Sequence, residues 1–263
     1  MTELPQVQRS ELLYAAAYRR WAAASHGGKL ARLAKRRPLV SGRSAFRLLR
    51  ASSRLTQGQW LARLAKAAAL RAGDRPLTAV ELGTCAGVSA MYVLIGMSEA
   101  AGGHLTTFEG DPELVALANH QIRRFLEAHE LSNVSFEVKA GRFSETLPGY
   151  LEQLEGKLDL AFIDGHHQRE PTLEYHRVIR ERMAERGIIV HDDIAWTDDM
   201  VLAWREISDR EDSRIVELML GDRPSRGLIF LGDPKQAVPE RFHFDSRPER
   251  WLRSGLRRLG AAT

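Results

Sequence analysis

Acidic and histidine side chains stand where short apolar runs stop. Leu105-Thr106-Thr107-Phe108 closes on Glu109-Gly110-Asp111, the run Leu158 to Ile163 closes on Asp164-Gly165-His166-His167, and Gly187-Ile188-Ile189-Val190 closes on His191-Asp192-Asp193. Carboxylates and imidazoles bind hydroxyls, hold hard cations and move protons near neutral pH. Upstream, Thr78-Ala79-Val80-Glu81-Leu82 ends in Gly83-Thr84-Cys85-Ala86-Gly87 and runs straight into a helix. Glycines let backbone approach a ligand, and the first N–H groups of a helix are free donors, so this turn reads as a nucleotide cradle. Glu109 follows at roughly the spacing at which a βαβ unit places a ribose-binding carboxylate. Ligands of open parallel sheets bind beyond the C-terminal strand edges, so these clusters converge on one rim.

The elements that must carry them can be placed from periodicity and breakers. Thr56 to Ala72 has Trp60, Leu61, Leu64, Ala67 and Ala68 at helical spacing, and Gly73-Asp74-Arg75-Pro76 stops it. A helix from near Gly87 to about Ala101 carries Tyr92, Val93, Ile95 and Met97. Asp111-Pro112-Glu113 starts the next as cap, first-turn proline and early acid, so Asp111 reads equally as a cap alone, and Glu109, at the strand end, is the better ribose ligand. Val134 to Lys139 alternates as a strand, and the helix Ser144 to about Leu154 is expected to be short or broken at Pro148-Gly149. Glu170-Pro171 starts a helix and Asp198 to Ser208 forms another. The strands Arg214 to Leu220 and Gly227 to Leu231, joined by a short turn, must run antiparallel.

In order, the stretches Val80 to Ser89, Phe108 to Asp111, Phe162 to His167 and His191 to Ile194 resemble the successive motifs of class I S-adenosylmethionine-dependent methyltransferases. Within that class they look like the metal-dependent O-methyltransferase branch that includes catechol O-methyltransferase. The resemblance runs from about Thr56 to about Leu231. It implies a doubly wound, Rossmann-like α/β fold with a seven-stranded, mostly parallel sheet and an antiparallel last strand. It implies S-adenosylmethionine held by Glu81, Gly83, Thr84, Gly87, Ser89, Glu109 and Gly110, with Gly141, Arg142 and Phe143 along the adenine and Asp164 and His166 at the cofactor edge. It further implies magnesium on Asp164, Asp192 and Asp193, which with Asp164 and His167 would deprotonate a hydroxylated small-molecule acceptor. His167 occupies the position of the catechol enzyme's general-base lysine. Apart from the resemblance, aspartates at strand ends also read as helix caps or acceptors of backbone N–H groups, and His191 reads equally as a satisfied core histidine.

Composition suits a soluble enzyme: 44% of residues are apolar, 27% charged, and Cys85 is the single cysteine, which excludes an internal disulfide. No apolar run approaches a membrane span and no signal-peptide core is present, so the cytoplasm is expected. Before Gly58 the chain has two acids, Glu3 and Glu11, against twelve Lys and Arg residues. The chain therefore divides into a basic helical extension over 1–55, with a helix from about Gln8 to Ala24, a domain over 56–235 and a basic tail over 236–263. The tail carries Trp251, Leu252, Leu256 and Leu259 among arginines, which leaves docking to a membrane surface and a homodimer both open. No Gly-x-Ser-x-Gly elbow points to a hydrolase, and Gly83-x-x-x-Gly87 is less than a dehydrogenase fingerprint. Asp164-Gly165-His166-His167 differs from the Asn/Asp-Pro-Pro-aromatic loop of base N-methyltransferases, which makes nucleic acid a poor acceptor. The competing class is a non-catalytic scaffold of the same fold that binds partners through its arm and tail.

Overall fold

The computed structural model of the protein describes residues 55–235 and 239–243. The expected arm helix and most of the basic tail lie outside these residues. In chain order the elements are α1 (Leu55–Ala72), β1 (Leu77–Leu82), α2 (Val88–Ser98), β2 (Gly103–Glu109), α3 (Pro112–Ala128), β3 (Val134–Ala140) and α4 (Phe143–Gln153). They continue as β4 (Leu158–Ile163), α5 (Arg169–Arg182), β5 (Met183–Asp192), α6 (Asp198–Arg210), β6 (Ser213–Leu220), β7 (Arg223–Pro234) and β8 (Glu240–His243).

The sheet order is β3-β2-β1-β4-β5-β7-β6-β8. The first five strands in this order are parallel, and β7 is antiparallel to both β5 and β6. The chain thus winds one way from β1 to β3 and the other way from β4 onward, with the switch point between β1 and β4. Eight strands are described where seven were expected. The extra one, β8, is four residues paired parallel to β6 from beyond residue 235, too short to show an alternating pattern.

Strand residues alternate between two cores, as the pleat requires. Leu77, Ala79, Leu160, Phe162, Ile188 and Val190 pack with α1, α2 and α3, while Val80, Leu82, Ala161, Ile163 and Ile189 pack with α4, α5 and α6. Helix α2 is buried all round because α1 covers the side the sheet does not. Gly96 allows that approach, since a Cβ there would stand 2.0 Å from the Ala62 carbonyl oxygen. Helix α4 is continuous through Pro148, contrary to the expected break. The proline removes one donor to Ser144, and burial of Leu147 and Leu151 on the sheet keeps the helix together. Among the described residues no helix is long and apolar enough to cross a membrane.

Candidate active site

Register puts the chemistry-bearing residues side by side. Leu82 pairs with both Phe108 and Ile163, and Ile163 pairs with His191, so the residues after β1, β2, β4 and β5 meet at one sheet edge. The turn after β1 wraps over this edge. Gly83 has φ +103°, and a Cβ on it would stand 2.1 Å from the Asp164 carbonyl oxygen, so only glycine fits. Gly83 N and Thr84 N donate to Phe108 O, and Gly87, left-handed at φ 78°, opens α2. Beneath the turn the Thr84 and Thr107 hydroxyls are 2.6 Å apart, and Thr107 donates to Glu81 Oε2 at 2.6 Å. Ser89 hydrogen-bonds the same carboxyl. Glu81 is fully buried, and its Oε1 has no partner among the described residues.

Glu109 bridges two loops, accepting from Cys85 N at 2.9 Å and from Asp111 N at 2.8 Å. Asp111 accepts from Glu113 N and is the cap of α3, as its sequence context suggested. Gly141 donates to Glu109 O and turns the chain with φ +133°. Gly110 has only the Gly141 carbonyl nearby, at 3.7 Å from a notional Cβ. Arg142 points to solvent, with 80% of its side chain exposed. Phe143 turns inward: its ring lies against Gly165, edge-on to His166 at 5.8 Å and to Tyr175 at 5.9 Å. His166 Nδ1 is 2.7 Å from the Tyr175 hydroxyl, and the two rings stack.

The acids after β4 and β5 divide into two groups. Asp164, His167 and Asp193 present ligand-type atoms within 4.8 Å of one another. His167 Nε2 is 3.5 Å from Asp164 Oδ1 and 3.6 Å from Asp193 Oδ2, and the Trp196 ring meets the imidazole edge-on at 4.9 Å. Burial, then the charge of Asp192, pushes Asp193 up to about 6, and burial with Asp192 and Asp193 holds Asp164 well above the usual carboxylate range. Burial pushes His167 down, so its ring is neutral at pH 7. Asp192 is separate. Its Oδ1 and Oδ2 take Arg226 Nε at 2.9 Å and Nη2 at 2.8 Å, and Oδ1 also accepts from Asp193 N. Arg226 is fully buried, donates Nη1 to Gln57 O at 2.7 Å and lies 5.3 Å over the Phe162 ring. His191 turns to the other face, where its Nε2 is 3.1 Å from His176 Nδ1 and His176 is linked to Glu211. It is a core histidine.

Residues 80–194 match the family model described as a methyltransferase domain. This stretch is therefore similar to a methyltransferase domain. A curated protein of Mycobacterium sp. (strain JLS), provisionally named an O-methyltransferase, is 34% identical to the chain over 157 residues. The match spans 54% of this chain and 66% of that relative, just under two thirds of its length. Among solved structures, cofactor-bound Rv0187 from MTB is 23% identical with a TM-score of 0.56, over 83% of this chain and 90% of that one. The Bacillus cereus O-methyltransferase in complex with SAH is 17% identical with a TM-score of 0.54, over 68% and 82%. The O-methyltransferase TomG of Streptomyces achromogenes, in complex with SAM, is likewise 17% identical at 0.54, over 80% and 90%. At these identities the structures establish a shared fold.

The domain has the cradle that such a fold places at its switch point. The Gly83 turn has no room for a side chain, the Glu81 carboxyl leaves a buried oxygen unpaired and Glu109 stands at the rim, a donor and acceptor set that fits an adenosyl ligand with a cationic amine. The expected three-aspartate magnesium set does not form as such, because both oxygens of Asp192 are bonded to Arg226. Arg226 and Tyr175 are the site residues that sequence reading missed. Arg226 directly precedes the expected strand, and the antiparallel pairing of that strand against β5, which local pattern does not specify, sets Arg226 opposite Asp192.

Glu81 gives this domain a pH dependence. Burial pushes its carboxyl from 4.5 up to about 7. A folded pKa above the unfolded one means that the stabilisation is fully present below about 4.5 and is lost as pH rises through 7. Denaturation of the ligand-free protein across pH 5 to 8 should therefore show wild type losing about 3 kcal/mol relative to Glu81→Gln. Parallel curves for the two proteins would mean that Glu81 is ionised throughout.

Proposed function

We propose that the protein transfers a methyl group from S-adenosylmethionine to a hydroxyl of a small molecule. The observation that carries this reading is the glycine cradle and Glu109 facing, across β1 and β4, a neutral imidazole held between two carboxylates. The match to a methyltransferase domain and the O-methyltransferase name of the mycobacterial relative support it, as does TomG, described as involved in tomaymycin synthesis.

When bound, S-adenosylmethionine supplies a sulfonium methyl that an oxygen nucleophile displaces in line, the carbon–sulfur electron pair leaving on the thioether. Glu109 would accept the two ribose hydroxyls, the Phe143 and His166 rings would flank the adenine, and ionised Glu81 would hold the methionine ammonium. The acceptor enters beside Trp196, which is 54% exposed and offers an aromatic edge next to His167. His167 Nε2 takes the hydroxyl proton. Its depressed pKa keeps that nitrogen able to accept at pH 7, and Asp193 at 3.6 Å, ionised above about 6, stabilises the imidazolium that results.

Calorimetric titration with S-adenosylmethionine and S-adenosylhomocysteine, with NAD as the control, tests the cofactor. Micromolar binding of the adenosyl ligands alone is expected, and their failure to bind a folded sample would leave the scaffold reading. With an acceptor found among phenols and sugar hydroxyls, His167→Ala should lower kcat by about 100-fold while S-adenosylhomocysteine binds as before. An unchanged kcat would remove His167 from proton transfer.

A further inference from the structure

In the branch that this sequence resembles, a divalent cation held by carboxylates at the rim binds the acceptor hydroxyl and lowers its pKa. In this protein one of the three carboxylates expected to hold it already has a cation. Asp192 ends β5, and Arg226 is its register partner on antiparallel β7, so the two side chains are fixed opposite one another by the sheet itself. The guanidinium is always charged, engages both Asp192 oxygens and sends its remaining arm to the Gln57 carbonyl. Phe162 lies against its face and none of it reaches solvent. It cannot swing aside. To free Asp192 for an ion would leave a buried guanidinium without its counter-charge, a penalty of the same order as the whole binding free energy of a millimolar cation.

We infer that Arg226 is the resident cation of this rim, supplying at Asp192 the positive charge that a divalent metal would otherwise bring, so that the transfer runs without a metal. The inference rests on the transferase reading. Arg226 is a positioning residue, since it acts through Asp192 and through Gln57 at the start of α1. The Gln57 side chain in turn donates to Ser225 Oγ at 3.1 Å, so α1 and the strand bearing Arg226 are held from both sides. The same guanidinium lowers the proton affinity of Asp164 and Asp193, as a metal would.

The test uses the full chain, stripped of metals with a chelator. S-adenosylhomocysteine is titrated first in the chelator, where failure to bind would sink the transferase reading itself, whatever the protein does with metals. Mg2+ and Mn2+ are then titrated into the wild type by calorimetry, with Mn2+ also followed by its electron paramagnetic resonance signal. No saturable binding below the millimolar range is expected, and turnover should persist in the chelator. Arg226→Met frees Asp192. It should bind Mn2+ at least about tenfold more tightly than the wild type, and its lowered unfolding temperature should rise when Mn2+ is added. The further change Asp164→Asn should remove that gain. Sub-millimolar Mg2+ or Mn2+ binding by the wild type that His167→Ala or Asp193→Asn abolishes, with turnover lost in the chelator, would overturn the inference in favour of an ion held by Asp164, His167 and Asp193. A folded Arg226→Met protein that gains no Mn2+ binding would overturn it as well. Should that variant not fold, the wild-type titration decides alone.

Discussion

Glu109→Ala is expected to weaken S-adenosylhomocysteine binding by about a thousandfold, roughly 4 kcal/mol, since two hydrogen bonds to an ionised acceptor are lost at about 1.5–3 kcal/mol each. The carboxylate has two duties, and the experiment separates them. Facing inward, it accepts from Cys85 N and Asp111 N and so ties the turn after β1 to the turn after β2. Facing the rim, its remaining lone pairs would take the ribose hydroxyls. Glu109→Gln can still accept one backbone N–H and keeps the side-chain volume, but its amide nitrogen cannot accept and the charge is gone. A glutamine variant with wild-type unfolding temperature and binding weakened at least about tenfold would assign the loss to the ribose. If both variants bind S-adenosylhomocysteine as tightly as the wild type, Glu109 serves only to join the loops.

The legibility of this site in the sequence followed the range over which each feature is determined. Glu109 and the Gly83 turn were readable because each is fixed within a few residues: a short apolar run, a stop, a helix start. The rim as a whole was readable because parallel strands all end on one side. Asp111 as a cap and His191 as a core residue were alternatives that local pattern left open. They are decided by the Glu113 N–H and by His176, a residue on a different element. Pro148 does not break its helix, since its local cost is outweighed by the burial of Leu147 and Leu151 on the sheet. Arg226 was missed for a different reason. Its partner lies 34 residues away, and only the placement of β7 between β5 and β6 brings them together. A strand pattern states that a segment pairs, and the partner strand is set by packing of the whole sheet.

Asp192→Ala is expected to destabilise the protein by about 4 kcal/mol, a large part of the 5–15 kcal/mol that holds a typical domain together. The mutation removes little volume, so the effect is electrostatic. It takes from Arg226, which has none of its surface in water, the carboxylate that accepts from Nε and Nη2, and a guanidinium cannot escape the penalty by releasing its proton. Urea denaturation of the ligand-free chain should show the midpoint falling with the slope unchanged. The double variant Asp192→Leu with Arg226→Met replaces the pair by apolar side chains of similar volume and should recover most of the loss, because a buried ion pair contributes little net stability beyond its apolar equivalent. A loss below about 1 kcal/mol in Asp192→Ala would mean that water or the neighbouring Asp164 and Asp193 compensate the arginine. Recovery in the double variant without recovery of turnover would show that the pair is kept for the charge it places at the rim, since the fold would then be intact and the field at Asp164 and Asp193 changed.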